Sequence, residues 1–133
     1  MITIISISKS IAIKMIVMSV RHKTREYIEH LFRELKKYAQ SGEYTIFNIY
    51  AKGELEPQEL ELVDVKVDFS DAESVKRFLD KTTRETLEGE VKGLKLVAMV
   101  IDKGDDYIFS SQVELDESIK ESIKEKIEQL KEE

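Results

Sequence analysis

The most continuously apolar stretch of the chain is Leu94-Lys95-Leu96-Val97-Ala98-Met99-Val100-Ile101, interrupted by one lysine. It is far shorter than the roughly 20 apolar residues that cross a bilayer, so it reads as a strand. Regular alternation puts Leu94, Leu96, Ala98 and Val100 on one face and Val97, Met99 and Ile101 on the other. Both faces are apolar, so both need cover, from the last helix or from a partner subunit. Asp102 to Asp106, with Gly104, reads as a turn into Tyr107-Ile108-Phe109, which makes a hairpin.

The same patterning orders the rest of the chain. Residues 1–20 are Ile-rich and β-like, with Ile11 to Val20 the better strand and residues 1–10 an additional N-terminal strand where they pair back. Tyr27, Ile28, Leu31, Phe32, Leu35, Tyr38 and Ala39 repeat at helical spacing, which predicts a helix over Thr24–Gln40 that stops before Gly42. A strand over Tyr44–Tyr50 follows, then a loop with Gly53 and Pro57. Leu60–Phe69 alternates, with Val63, Val65, Val67 and Phe69 inward and Asp64, Lys66 and Asp68 outward. Ser70, with Glu73 three residues later, is read as the cap of a second helix, whose inner stripe runs through Val75, Phe78, Leu79, Thr82, Thr86 and Leu87 to Gly89 and Gly93. Residues 116–133 form a charged helix with one thin apolar line, Ile119, Ile123, Ile127 and Leu130. So narrow a stripe lies along an edge, covers a sheet face, or meets its own copy in a homodimer.

The succession β-α-β-β-α-β, followed by one more strand and helix, predicts an α+β fold with a ferredoxin-like core. The alternative is a three-layer α/β sheet. With 133 residues and 41% hydrophobic content, residues 1–133 are read as one domain able to bury a core unaided.

Composition narrows the chemistry. No cysteine is present, which excludes disulfides and thiolate metal sites, and two histidines leave too few ligands for a metal centre. The apolar start has neither a preceding basic segment nor a small-residue cleavage site, so the expectation is a cytoplasmic protein. Charged residues make up 36% of the chain and asparagine occurs once, at Asn48. That Lys/Glu-rich balance leans toward a thermophile. The net charge of −6 is unevenly spread: residues 1–50 carry eight Lys/Arg against four Asp/Glu, and the remainder is strongly acidic.

Within the basic half, Arg21-His22-Lys23-Thr24-Arg25 precedes the first helix in what reads as a loop. Cations at a helix N-terminus oppose its dipole, whereas the other two helices open with Asp71 and Glu73, and with Asp116 and Glu117. An anion held at Arg21, His22, Lys23, Thr24 and Arg25 accounts for the exception. The leading expectation is therefore a non-catalytic module, without cofactor, that self-associates and binds a partner or a phosphate-bearing ligand at that loop. One alternative is nucleic-acid or RNA binding through the basic 21–37 surface, extended by Arg33, Lys36 and Lys37. Base stacking on the sheet is not expected, because the strands that would carry the aromatics offer Met15, Ile16, Val17, Val63, Val65 and Val67. A second alternative is a hydrolase using Asp64 and Asp68, about 7 Å apart along one strand face.

Overall fold

The computed structural model describes residues 21–53, 55, 59–104 and 106–132. The predicted strands in residues 1–20, the extra strand at 1–10 included, and Pro57 lie outside them. Helix α1 covers residues 21–36, strand β1 Glu43–Lys52, β2 Glu61–Asp68, helix α2 Ala72–Val91, β3 Leu94–Asp102, β4 Tyr107–Ser111 and helix α3 Glu117–Glu132. The four strands form an antiparallel sheet of order β2-β1-β3-β4. The fold is thus α+β.

That order does not confirm the ferredoxin-like plan. One split β-α-β unit is present: β2 and β3 run the same way, α2 joins them, and β1 lies between. The interposed strand is the second of those predicted, because β1 and β2 are hairpin neighbours and β1 then also pairs with β3. The helices divide between the faces, with α1 and α2 on one side and α3 on the other.

On the first face, Ile28, Leu31, Phe32 and Leu35 of α1 and Phe78 of α2 pack on Ile46, Val65, Val67, Met99 and Ile101. Phe32 meets Phe69 edge-on with ring centroids 5.2 Å apart. On the second face, Ile119, Ile123 and Ile127 of α3 cover Phe47, Ile49, Ala98 and Val100, and Ile123 and Ile127 are fully buried. Leu130, the last of the predicted line, stays 41% exposed. The second face is therefore covered from within the chain, so neither the doubly apolar strand nor the isoleucine line of α3 calls for a second copy. Polar contacts fix α3 in place. Lys131 pairs with Asp102 at 2.9 Å, Lys126 donates to the Leu60 carbonyl at 3.0 Å, and the Tyr107 hydroxyl donates to Glu128.

Strand β3 departs from regular alternation. Ala98 pairs with Ile49 and Leu96 with Tyr50, so Val97 is an extra residue without a partner on β1. This bulge reverses the parity of everything before it. Leu94 and Leu96 join Met99 and Ile101 beneath α1 and α2, whereas Val97, Ala98 and Val100 turn toward α3. The two-face assignment expected for Leu94 and Leu96 is corrected accordingly.

Two boundaries also shift. Arg21, His22 and Lys23 are helical, so the basic stretch belongs to α1 and is not a loop. The N-cap of α2 is Asp71, whose carboxylate accepts from the Glu73 N–H at 3.0 Å. Ser70 is drawn instead into a turn closed on Asp68, donating its hydroxyl at 2.6 Å and its N–H at 2.9 Å. At the far end of α2, Gly93 takes φ 83° and its N–H donates to the Glu90 carbonyl at 3.0 Å, which turns the chain directly into β3.

Buried polar pairs set how the helices sit on the sheet. Asn48 is fully buried on β1, and its amide donates to the Thr82 hydroxyl at 3.2 Å. Two residues on, the Tyr50 hydroxyl bonds Thr86 at 3.0 Å. Ser110 of β4 donates to the Leu31 carbonyl at 2.9 Å, tying α1 to the β4 edge of the sheet.

Ile123→Ala is expected to cost about 2–5 kcal/mol in urea denaturation. A loss below about 1 kcal/mol would show that α3 is not packed as described. Thr82→Val leaves the Asn48 amide buried without its partner and is expected to cost about 1–3 kcal/mol, with Asn48→Leu in the same chain recovering much of it.

Candidate functional site

Where the start of α1 approaches the end of α2, a cleft of about 430 Å³ opens above the first residues of β3. Helix α1 contributes Lys23, Thr24 and Tyr27, α2 contributes Thr86 and Glu90, and the turn into β3 contributes Gly93, Leu94, Lys95 and Leu96. The bulge in β3 aims Leu94 and Leu96 at this cleft, since regular alternation would have given them to α3. Thr24 is buried, and the charged side chains Lys23 and Glu90 are exposed at the rim. Lys95 lies between Leu94 and Leu96 and pairs with Ala51, so its exposed side chain points to the α3 side of the sheet. Lys52, paired across the sheet with Leu94, brings a further lysine to the same end.

The deeper wall is held by bonds that consume its polar groups. The Tyr27 hydroxyl donates to the Leu96 carbonyl at 2.8 Å, and Thr86 is bonded to Tyr50. Burial raises the pKa of both tyrosines above the usual phenol value; for Tyr50 the bond to Thr86 works in the opposite direction. Neutral phenols fixed in this way make a rigid aromatic surface.

Of the five residues expected to bind an anion, two border the cleft, Lys23 and Thr24. Arg25 turns to α2, where it bonds Asp80, and to Glu29 on its own helix at 3.0 Å. Burial works against the Arg25 charge, yet the two carboxylates outweigh it and hold its pKa above the ordinary value. The Nε2 of His22 lies 2.8 Å from Glu26. Arg21 is exposed and close enough to Asp80 to help lower the pKa of that carboxyl, after the larger effect of Arg25. Arg33, Lys36 and Lys37 are exposed further along α1 and take no part in the cleft; Lys37 pairs with Glu34 at 2.9 Å.

The candidate hydrolase pair does not converge either. Asp64 is exposed and borders a groove between β2 and α2 with Lys66, Arg77 and Lys81. Asp68 does not line that groove. It accepts both bonds from Ser70, which hold its carboxyl below the usual range. Among the described residues, no group of three or more His, Asp or Glu side chains is placed to hold a metal, and no helix is long and apolar enough to cross a membrane.

Sequence reasoning counted Tyr27 and Thr86 as core stripe and passed over Lys95 and Glu90.

The Arg25–Asp80 pair makes a pH prediction. Asp80 has its pKa lowered from an ordinary 3.8 by the hydrogen bond from Arg25, so its contribution to stability is full above that value and is lost as pH falls through the depressed one. Asp80→Asn is expected to flatten the fall of the thermal midpoint as the pH drops below the ordinary carboxyl value of 3.8, by a small amount because the pair is half exposed.

No family model matches the chain, and no solved structure matches it. A curated relative does: an "Uncharacterized protein" of Aquifex aeolicus (strain VF5), 40% identical over 120 residues that cover 87% of this chain and 99% of the relative. Its thermophilic source agrees with the Lys/Glu-rich composition. Identity of that extent means that the chain belongs to the same family as this Aquifex aeolicus protein.

Proposed function

We propose that the protein is a small non-catalytic binding module that holds an anionic ligand in the cleft between α1, the end of α2 and the start of β3. The observation that carries this reading is that Lys23 and Thr24, two of the five residues expected to bind an anion, stand together at one cleft with a mainly apolar interior. A pocket of this size, apolar within and bearing a few charged groups that fix orientation, has the general form of a small-ligand site. A binding role is favoured over catalysis by how its hydroxyls are used. Tyr27 spends its proton on a backbone carbonyl and Thr86 is bonded to Tyr50, so neither is set beside a base as an activated nucleophile requires.

The anion site of this reading is narrower than the basic stretch of the sequence. Lys23 and Thr24 remain in it, and Arg25 serves the contact between α1 and α2. Self-association is not a premise, since α3 already covers the second sheet face.

Backbone amide NMR during titration with benzoate at low salt tests the proposal. Shifts are expected to gather at Lys23, Thr24, Tyr27, Lys95 and Leu96, and to weaken as salt rises. Lys23→Glu is expected to reduce affinity at least tenfold, equivalent to about 1.4 kcal/mol, with the fold unchanged by circular dichroism. Shifts scattered over the surface, or unaltered in the Lys23→Glu variant, would overturn the site.

A further inference from the structure

We infer that two copies of the chain join edge to edge through β2, making one continuous sheet about a two-fold axis at Val65. The faces of the sheet are covered from within the chain, but the outer edge of β2 is a separate surface. Nothing in this inference depends on the cleft.

The directions of the backbone groups along β2 define what that edge offers. The Phe69 N–H donates to the Gly42 carbonyl at 2.8 Å, which extends the β1–β2 ladder by one pair and means that Val63, Val65 and Val67 turn their backbone groups to β1. Asp68 therefore faces the other way, and its N–H is met by the Ser74 hydroxyl at 2.9 Å. Leu62, Asp64 and Lys66 share that outward direction. Among the described residues, no strand pairs with this side of β2. A row of outward N–H and C=O groups is a template for another strand.

The order of residues in β2 selects a second copy of itself. Opposed residues of an antiparallel pair share a sheet face, so the two-fold axis must pass through a residue and not between two. Centred on Val65, the register sets Asp64 opposite Lys66 of the second copy and Lys66 opposite its Asp64, with Val63 against Val67. Both charged side chains are exposed on the α3 face, where Asp64 pairs with Phe47. Their backbone groups point outward, so the pairs that match in charge also exchange the ladder bonds.

The other registers fail on the same residues. Centres at Asp64 or Lys66 oppose like charges, which destabilises a strand pair. A centre at Val67 needs the Asp68 N–H that Ser74 already holds, and a centre at Val63 leaves Asp64 and Lys66 opposite leucines. The helices leave room for the remaining one. Leu62 and Val63 are only half-buried, Leu130 of α3 is exposed, and a groove of about 470 Å³ lies open between β2 and α2.

Size-exclusion chromatography with light scattering on the full chain tests the inference, and a monomer is expected to give way to a dimer between micromolar and millimolar concentration. Asp64→Lys and Lys66→Asp are each expected to weaken the dimer at least tenfold, since each opposes like charges. An equimolar mixture of the two variants, and the double variant carrying both changes, are expected to recover it. In amide hydrogen exchange, Asp64 and Lys66 are expected to gain protection as concentration rises, whereas Val65 and Val67 are protected throughout. A monomer at every concentration would overturn the inference, as would Asp64 and Lys66 amides already protected in the monomer, which would mean that another segment of the same chain holds the edge. A dimer that the single variants leave intact, or that the double variant fails to restore, would also overturn it.

Discussion

Covering β3 on both faces is the constraint on which the rest of the structure depends. Met99 and Ile101 face α1 and α2, Ala98 and Val100 face α3, and all four are fully buried. A strand enclosed in this way cannot serve a sheet with one wet face, so the chain must supply a helix for the second side. The thin isoleucine line of α3 is sufficient because what it covers is also narrow: β1 and β3 are the central strands, and their side chains on that face are Phe47, Ile49, Ala51, Ala98 and Val100. Flanking the line are polar contacts on both edges, Lys126 to the Leu60 carbonyl and Lys131 to Asp102. Apolar burial gives α3 its affinity for the sheet, and these contacts fix its direction across the strands.

The cleft follows from the way β3 begins. Gly93, at a positive φ that other residues reach only with strain, lets α2 end and the strand start without a linker, so the last turn of α2 stands beside Leu94. The bulge then gives Leu94 and Leu96 to the same side as that turn. Had alternation continued, Leu94 and Leu96 would lie with Ala98 and Val100 beneath α3, and Lys95 would point into the layer that α1 and α2 occupy. A buried lysine there would be costly unless paired. The extra residue therefore resolves a conflict in the sequence and shapes the site by the same displacement.

Most elements were legible because their periodicity is strong and local. The strands at Tyr44–Tyr50 and Leu60–Phe69, the hairpin at Leu94–Phe109 and the second and third helices stand where the pattern put them, within the usual fraying of ends, whereas α1, expected over Thr24–Gln40, covers residues 21–36. Strand order was not legible, because it depends on which strand β3 selects as its neighbour, and the expected strands share the same apolar character. The bulge was hidden for a related reason. In a run that is apolar on both faces, a shift of parity leaves no mark in the pattern of hydrophobic and polar residues. Ser70 and Asp71 are both good caps, and the sequence could not show that Asp68 would engage the serine first.

The site was half legible for reasons of charge geometry. Five consecutive residues on a helix point in several directions, so Arg21 to Arg25 could not act as one patch once helical. Lys23 and Thr24 fall on the side facing the end of α2, whereas Arg25 falls on the side facing Asp80. Arg25 is better placed for structure than for a ligand: its planar guanidinium spans Glu29 and Asp80 and holds α1 against α2, which fixes the wall that Tyr27 belongs to. A charge retained in a strand otherwise selected for burial is a sign that one point of that strand faces water, and at Lys95, which pairs with Ala51, that point lies on the α3 side of the sheet.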